Sequence, residues 1–146
     1  MYIIRLHLII DAAPDIVFKA VTTTEGYQGW WAKTCDINCN PNETSSIRFL
    51  KGAHTEEMIF RTVEIKNNEK LTWECVSNNV FSTWIGSLLY FSVAQKGKQT
   101  SFTFTQRAVD GQWKESEEYQ PSLEGWEFFM QSLKRFCETG HGDAWG

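Results

Sequence analysis

Four cysteines and three histidines are the side chains of this 146-residue sequence that could hold a metal or pair as nucleophile and base. Cys35 and Cys39 are four apart in a stretch where Cys35, Ile37 and Cys39 alternate with polar residues. Four residues of extended chain span about 13 Å, too far for two thiolates to share a zinc ion with bonds of about 2.3 Å. Cys137 and His141 are also four apart, but Cys137 falls on an apolar helical face and His141 in a glycine-flanked tail. We therefore expect no metal site and no cofactor. His7 reads as a strand residue and His54 as a loop residue, and neither stands beside a serine or cysteine in a recognisable catalytic motif. Glu56, Glu57, Glu115, Glu117 and Glu118 read as solvated surface. Arg61, Glu64 and Glu74 lie in expected strands, where one could point inward as a general acid or base. Nothing in the sequence marks which.

The aromatic residues carry more information. Seven tryptophans and ten phenylalanines help to make 14% of the chain aromatic. Trp73, Phe91, Phe102 and Phe104 sit on alternating strand positions, while Trp126, Phe129, Met130 and Leu133 share one face of a C-terminal helix. If sheet and helix face each other, these eight converge. Such a set suits a ligand pocket, which is mostly apolar with a few placed polar groups. For any one of them, plain core packing is the commoner fate. Gly125 sharpens the question, because a glycine early in a helix costs up to about 1 kcal/mol relative to alanine. It either brings the backbone close to the sheet or frees space beside Trp126. Trp113 and Trp145, in expected exposed segments, either anchor an interface or fold back over a pocket mouth.

The elements that must position these residues follow from period. Residues 2–10 are rich in β-branched side chains and read as a strand. Pro14, Val17, Phe18 and Val21 recur at helical spacing behind Asp11-Ala12-Ala13. Thr24 is placed to cap a second short helix carrying Tyr27, Trp30 and Trp31. From Cys35 to Arg107 the period is two. Short strands are expected around 35–39 and 47–49, a longer one over 56–66 with apolar residues on both faces, another over 71–75, the longest over 83–94, and a last around 102–104. Asn40-Pro41-Asn42, Asn67-Asn68 and Gln95-Lys96-Gly97-Lys98 mark the turns between them. Residues 122–138 form an amphipathic helix with an apolar stripe wide enough to cover a sheet, and Gly140 suits its end. Phe128 falls on the polar side. The whole is α+β: a seven-stranded antiparallel sheet, two short helices after its first strand, and one long helix.

Composition narrows the function. The length fits one domain over residues 1–146. Lys and Arg total 14 against 18 Asp and Glu, for a net charge of −4, with no basic cluster longer than Lys134-Arg135. Nucleic acid and anionic membrane surfaces are poor partners for such a chain, and no apolar run approaches a membrane span. Met-Tyr-Ile-Ile-Arg leads straight into patterned sequence without the features of a secretory signal. We expect a cytoplasmic protein with reduced thiols.

The order of elements resembles the helix-grip fold, also called START-like or SRPBCC, in which a curved sheet wraps a C-terminal helix. Three segments sharpen the likeness. TTTEGYQGWWA (22–32) is similar to the Thr-x-x-x-Gly…Trp-Trp signature of homologues of the activator of heat-shock protein 90 ATPase. LTWEC (71–75) is similar to a strand of that family, with its tryptophan two residues early. GWEFFMQSLKRFCETGHG (125–142) is the nearest match. The resemblance spans essentially the whole chain and implies a pocket between sheet and helix suited to a small apolar molecule. It leaves two alternatives: a chaperone-associated or homodimeric interaction protein, and an enzyme of the polyketide cyclase or dehydrase type, which shares the fold. We expect binding without catalysis.

Overall fold

The computed structural model describes residues 3–108, 113 and 116–146. Tyr2, expected to open the first strand, and Glu115, expected on the surface, lie outside them.

The first strand, β1 (Ile3–Ile10), is followed by two short helices, α1 (Pro14–Ala20) and α2 (Thr24–Trp30). Pro14 opens α1 with Asp15 in its first turn, as expected of a residue without an N–H and a carboxylate beside the positive helix end. The cap of α2 is Thr23, not Thr24: the Thr23 hydroxyl accepts from Gly26 N at 3.0 Å. Thr24 already belongs to the helix, and its own hydroxyl accepts from Ile37 N across the chain. Strands β2 (Thr34–Asp36), β3 (Thr44–Lys51), β4 (His54–Lys66) and β5 (Lys70–Asn78) follow. After a single 3₁₀ turn at Ser82–Trp84 come β6 (Leu88–Lys96) and β7 (Gln99–Arg107), and then α3 (Tyr119–Thr139).

The seven strands form one antiparallel sheet in the order β1-β7-β6-β5-β4-β3-β2. It is a meander from β2 to β7, with β1 returning to pair beside β7. The sheet curls as a half-barrel around α3. Two irregularities help it bend: Val63 in β4 and Val76 in β5 are extra residues in the β4–β5 ladder, and both side chains are exposed. A bulge increases local twist and shifts which side chains face inward. Met58, Phe60 and Thr62 are buried on β4; after Val63 the inward set changes parity, so Ile65 packs on the core. The bulge thus brings Ile65 to the inner face, while Ile59 stays on the face opposite Met58 and Phe60.

The longest strand is β4, not the expected run over 83–94. That run fails to be one strand because the chain turns within it. Asn78 Oδ1 accepts from Val80 N and Phe81 N at 2.8 and 2.7 Å, and Gly86 adopts φ 88°, a left-handed conformation open to glycine. Trp84 is consequently swung inward toward α3. The helix starts three residues earlier than expected and ends on Gly140 at φ 84°, whose N–H bonds to Phe136 O. On α2, Gly29 lies so close to the Phe136 ring that no Cβ would fit between them.

Beyond α3 the chain folds back. Trp145 N donates to Trp31 O at 3.0 Å, and Lys33 N donates to Trp145 O at 2.8 Å, forming a parallel bridge beside Ala32. Ser132 Oγ secures the same return by donating to Trp30 O and accepting from Asp143 N. Phe128, on the polar side of α3, is explained by this tail: it packs on Trp145 with ring centroids 5.9 Å apart.

Candidate ligand pocket

Inward side chains of β3 and β4, the turn after β5, the start of α3 and the returning tail line a partly open cavity of about 230 Å³. Phe49 and Met58 line it from the sheet, Trp31 from the end of α2, and Phe81 and Trp84 from the turn. Helix α3 contributes Ser122, Gly125, Trp126 and Phe129, and the tail contributes Trp145.

The rigidity of the walls comes from ring packing and from buried hydrogen bonds. Trp84 and Trp126 stack at 5.4 Å, Trp31 and Trp126 meet at 5.0 Å, and Trp145 meets Phe129 edge-on at 5.3 Å. The indole N–H of Trp126 donates to Gln106 Oε1 at 2.8 Å, and Gln106 Nε2 donates to Ser87 Oγ at 3.0 Å. Trp84 Nε1 donates to Ser122 Oγ at 2.8 Å, while Ser122 Oγ donates to Glu118 O at 2.6 Å. Glu118, at the helix start, also accepts from the Thr83 N–H and hydroxyl. The indole dipoles of both residues are thus satisfied inside the protein, leaving ring surface for the cavity. Gly125 resolves as the second of its two expected roles: a Cβ there would meet nothing within 4 Å. The missing side chain is open space.

Of the eight aromatic and aliphatic residues gathered from the sequence, Trp126 and Phe129 line this cavity. Phe104 lies directly behind Trp126, ring centroids 4.0 Å apart. Trp73, Phe91, Phe102, Met130 and Leu133 are buried in the core and, like Phe104, are not among the lining residues. Trp73 stands in a separate stack, 4.9 Å from Phe60 and 5.3 Å from Tyr27. Sequence reasoning missed Trp31, Phe49, Met58 and Trp84 as walls. The signal for Trp31 was its place in a Trp-Trp pair on a helix face; for Trp84 there was none, because the run containing it looks like a strand.

Among the described residues, the ionisable groups that line the cavity are Lys51 and Glu56, which pair at 3.2 Å across the β3–β4 hairpin. Among the described residues the wall's one hydroxyl is Ser122, which is occupied by a carbonyl and an indole. His7 Nε2 does meet a serine, Ser101 Oγ at 2.7 Å, a pair that a separation of 94 positions in the sequence conceals. It lies exposed on the outer face of the sheet, away from this cavity. Arg61 and Glu74 bond to each other at 2.7 Å, and Glu64 pairs with Lys70.

The thiols are placed for packing. Burial pushes Cys39 up to about 12, outweighing the Trp73 indole and the Thr62 hydroxyl, which favour the thiolate. Burial also raises Cys35 to about 11 and Cys75 and Cys137 to about 12. All four are free, and among the described residues no group of three or more His, Cys, Asp or Glu side chains could hold a metal ion.

A curled antiparallel sheet gripping a long helix, with an apolar cavity between them, defines a helix-grip protein of the START-like class. The family description "Activator of Hsp90 ATPase homolog 1-like protein" matches residues 11–138, and the chain belongs to that family. No curated protein sequence matches it. Among solved structures, the solution structure of the Aha1 dimer from Colwellia psychrerythraea is 23% identical, with a TM-score of 0.77 over 97% of this chain and 100% of that one. The protein SSP2350 from Staphylococcus saprophyticus is 17% identical, with a TM-score of 0.77 over 99% and 98%. CV1439 from Chromobacterium violaceum is 16% identical, with a TM-score of 0.75 over 93% and 96%. At these identities the likeness shows the fold. No helix among the described residues is long and apolar enough to cross a membrane.

Proposed function

We propose that this protein binds a small apolar molecule in the cavity between sheet and helix and does not transform it. One observation carries the reading: a cavity of about 230 Å³ walled by ring surface, with the indole N–H groups of Trp84 and Trp126 bonded into the protein. An apolar cavity of about 150 Å³ is enough to take up benzene. Burial of apolar ligand surface, at about 25 cal/mol per Å² before the costs of association, is the driving force. The occupied Ser122 and the paired Lys51 and Glu56 favour binding over catalysis. Four free thiols fit a reducing compartment such as the cytoplasm.

The test is a titration with tert-butylbenzene, a neutral probe of suitable size, followed by tryptophan fluorescence in the wild type and in Gly125→Leu. Saturable binding by the wild type, lost in a folded Gly125→Leu, is the expected result. Equal response of the two proteins overturns the reading. Native mass spectrometry of freshly purified protein then identifies any resident molecule.

A second reading rests on Phe128 and Trp145, which stand side by side 42% and 49% exposed. They form an apolar patch suited to a second copy of the chain, or to a chaperone partner. Sedimentation of the wild type against Phe128→Ser distinguishes a dimer built on this patch from a monomer.

A further inference from the structure

The charged groups of the cavity give its ligand a sign. Strands β3 and β4 present Ile47, Phe49 and Met58, Phe60 to the interior, and the same alternation continues outward to Lys51 and Glu56 at the hairpin end. These two side chains therefore lie at the rim of the cavity rather than on the outer face. They are not equivalent. The Lys51 side chain is 53% exposed on a flexible stem, while Glu56 is 21% exposed. A partly exposed ion pair contributes about 0–1 kcal/mol, so withdrawing the Lys51 ammonium into water costs little. The carboxylate of Glu56 is held nearer the rings.

What remains when Lys51 swings out is one carboxylate in a lining rich in aromatic rings. Trp31, Trp84, Trp126 and Trp145 all line the space, with Phe49, Phe81 and Phe129 between them. Ring faces carry negative electrostatic potential and attract organic cations, tryptophan most strongly. The positive N–H edges of the Trp84 and Trp126 indoles are already committed to Ser122 and Gln106. An anion entering to meet Lys51 would face both the ring quadrupoles and Glu56. A cation meets neither repulsion.

Resting on the apolar-pocket reading above, we infer that the cavity takes a small organic cation, a hydrophobic amine or quaternary ammonium, with its charge between the aromatic faces and Glu56.

The experiment compares phenyltrimethylammonium with tert-butylbenzene, its neutral isostere, and with benzoate, by fluorescence titration of the wild type and Glu56→Gln. The cation is expected to bind at least as tightly as its isostere in the wild type. In Glu56→Gln its affinity relative to the isostere should fall about tenfold, the isostere's own affinity being unchanged. An unchanged ratio in Glu56→Gln, or benzoate binding more tightly than the cation, overturns the inference while leaving the apolar pocket standing. Failure of both the cation and the isostere to bind the wild type overturns the inference and the pocket reading together.

Discussion

Trp31 has two sides, and they differ. On one side Tyr27, Phe60 and Trp73 pack into a sealed stack in which Trp73 lies 4.9 and 5.3 Å from its two neighbours and every ring is buried. On the other side Trp84, Trp126, Phe129 and Trp145 surround a cavity. The residue types are the same, but the polar atoms and the glycine are not. In the sealed stack the Tyr27 hydroxyl is buried without a hydrogen-bond partner, and the Trp73 indole has only the weakly accepting Cys39 thiol. Around the cavity the Trp84 and Trp126 indoles are both bonded. The sealed side is filled because inward chains from α2, β4 and β5 all reach it; the open side is empty because α3 presents Gly125 there. A pocket here comes from a side chain left out of a wall that buried hydrogen bonds hold in place.

That contrast can be broken most severely at Trp73. Trp73→Ala should destabilise the protein by about 3–5 kcal/mol, the usual cost of emptying a large aromatic site. Trp145→Ala, half exposed at the cavity mouth, should cost about 1 kcal/mol and weaken tert-butylbenzene binding. Urea denaturation of the two variants reads the difference, and equal losses would erase the distinction between core and wall.

Alkali should act mainly through the buried side. Cys35 and Cys39 are held above their ordinary 9.0 by burial, as are Cys75 and Cys137, and burial also raises the Tyr27 hydroxyl well above 10.0. The folded chain thus keeps protons that the unfolded chain sheds. The stability these groups contribute is intact below about pH 9 and declines as pH rises toward 12. Thermal unfolding midpoints measured across that range should fall steadily; a flat profile would mean the thiols are more solvated than their packing shows.

At Gly125 the expected effect has the opposite direction. Gly125→Ala should raise stability by up to about 1 kcal/mol through helix propensity, since nothing obstructs the new methyl group. A loss in its place would show that the wall is tighter than it looks. The smallest effect is expected of Tyr27→Phe, which removes a buried hydroxyl with no partner. It should be neutral or stabilising by about 1 kcal/mol or less, and a clear loss in urea denaturation would reveal a partner for the hydroxyl.

Much of the fold was legible in the chain because the periods are clean. The α3 stripe, the Pro14 start of α1, the hairpin at Asn67-Asn68 and the antiparallel meander from β2 to β7 all follow from local spacing, whereas the pairing of β1 with β7 does not. The register left open on residues 56–66 and the strand misread over 83–94 both fall where single residues change the phase. Val63 shifts the inward set of β4, and Asn78 with Gly86 turns what looks like one strand into a 3₁₀ turn followed by β6. Neither device has a periodic signature. The site was less legible for a related reason. An inward aromatic residue fills core or lines a cavity according to what stands opposite it, and that neighbour comes from elsewhere in the chain: Ser122 for Trp84, Gln106 for Trp126, Phe129 for Trp145.

The sequence by itself determined the elements, their order and the family, because side-chain periodicity and turn chemistry are properties of neighbours along the chain. It also carried the aromatic supply and the anomaly at Gly125. Which rings meet, which polar tips are satisfied, and where the unfilled space lies were decided only in three dimensions. Those depend on distances between segments tens of residues apart, and on the curl that two extra valines give the sheet.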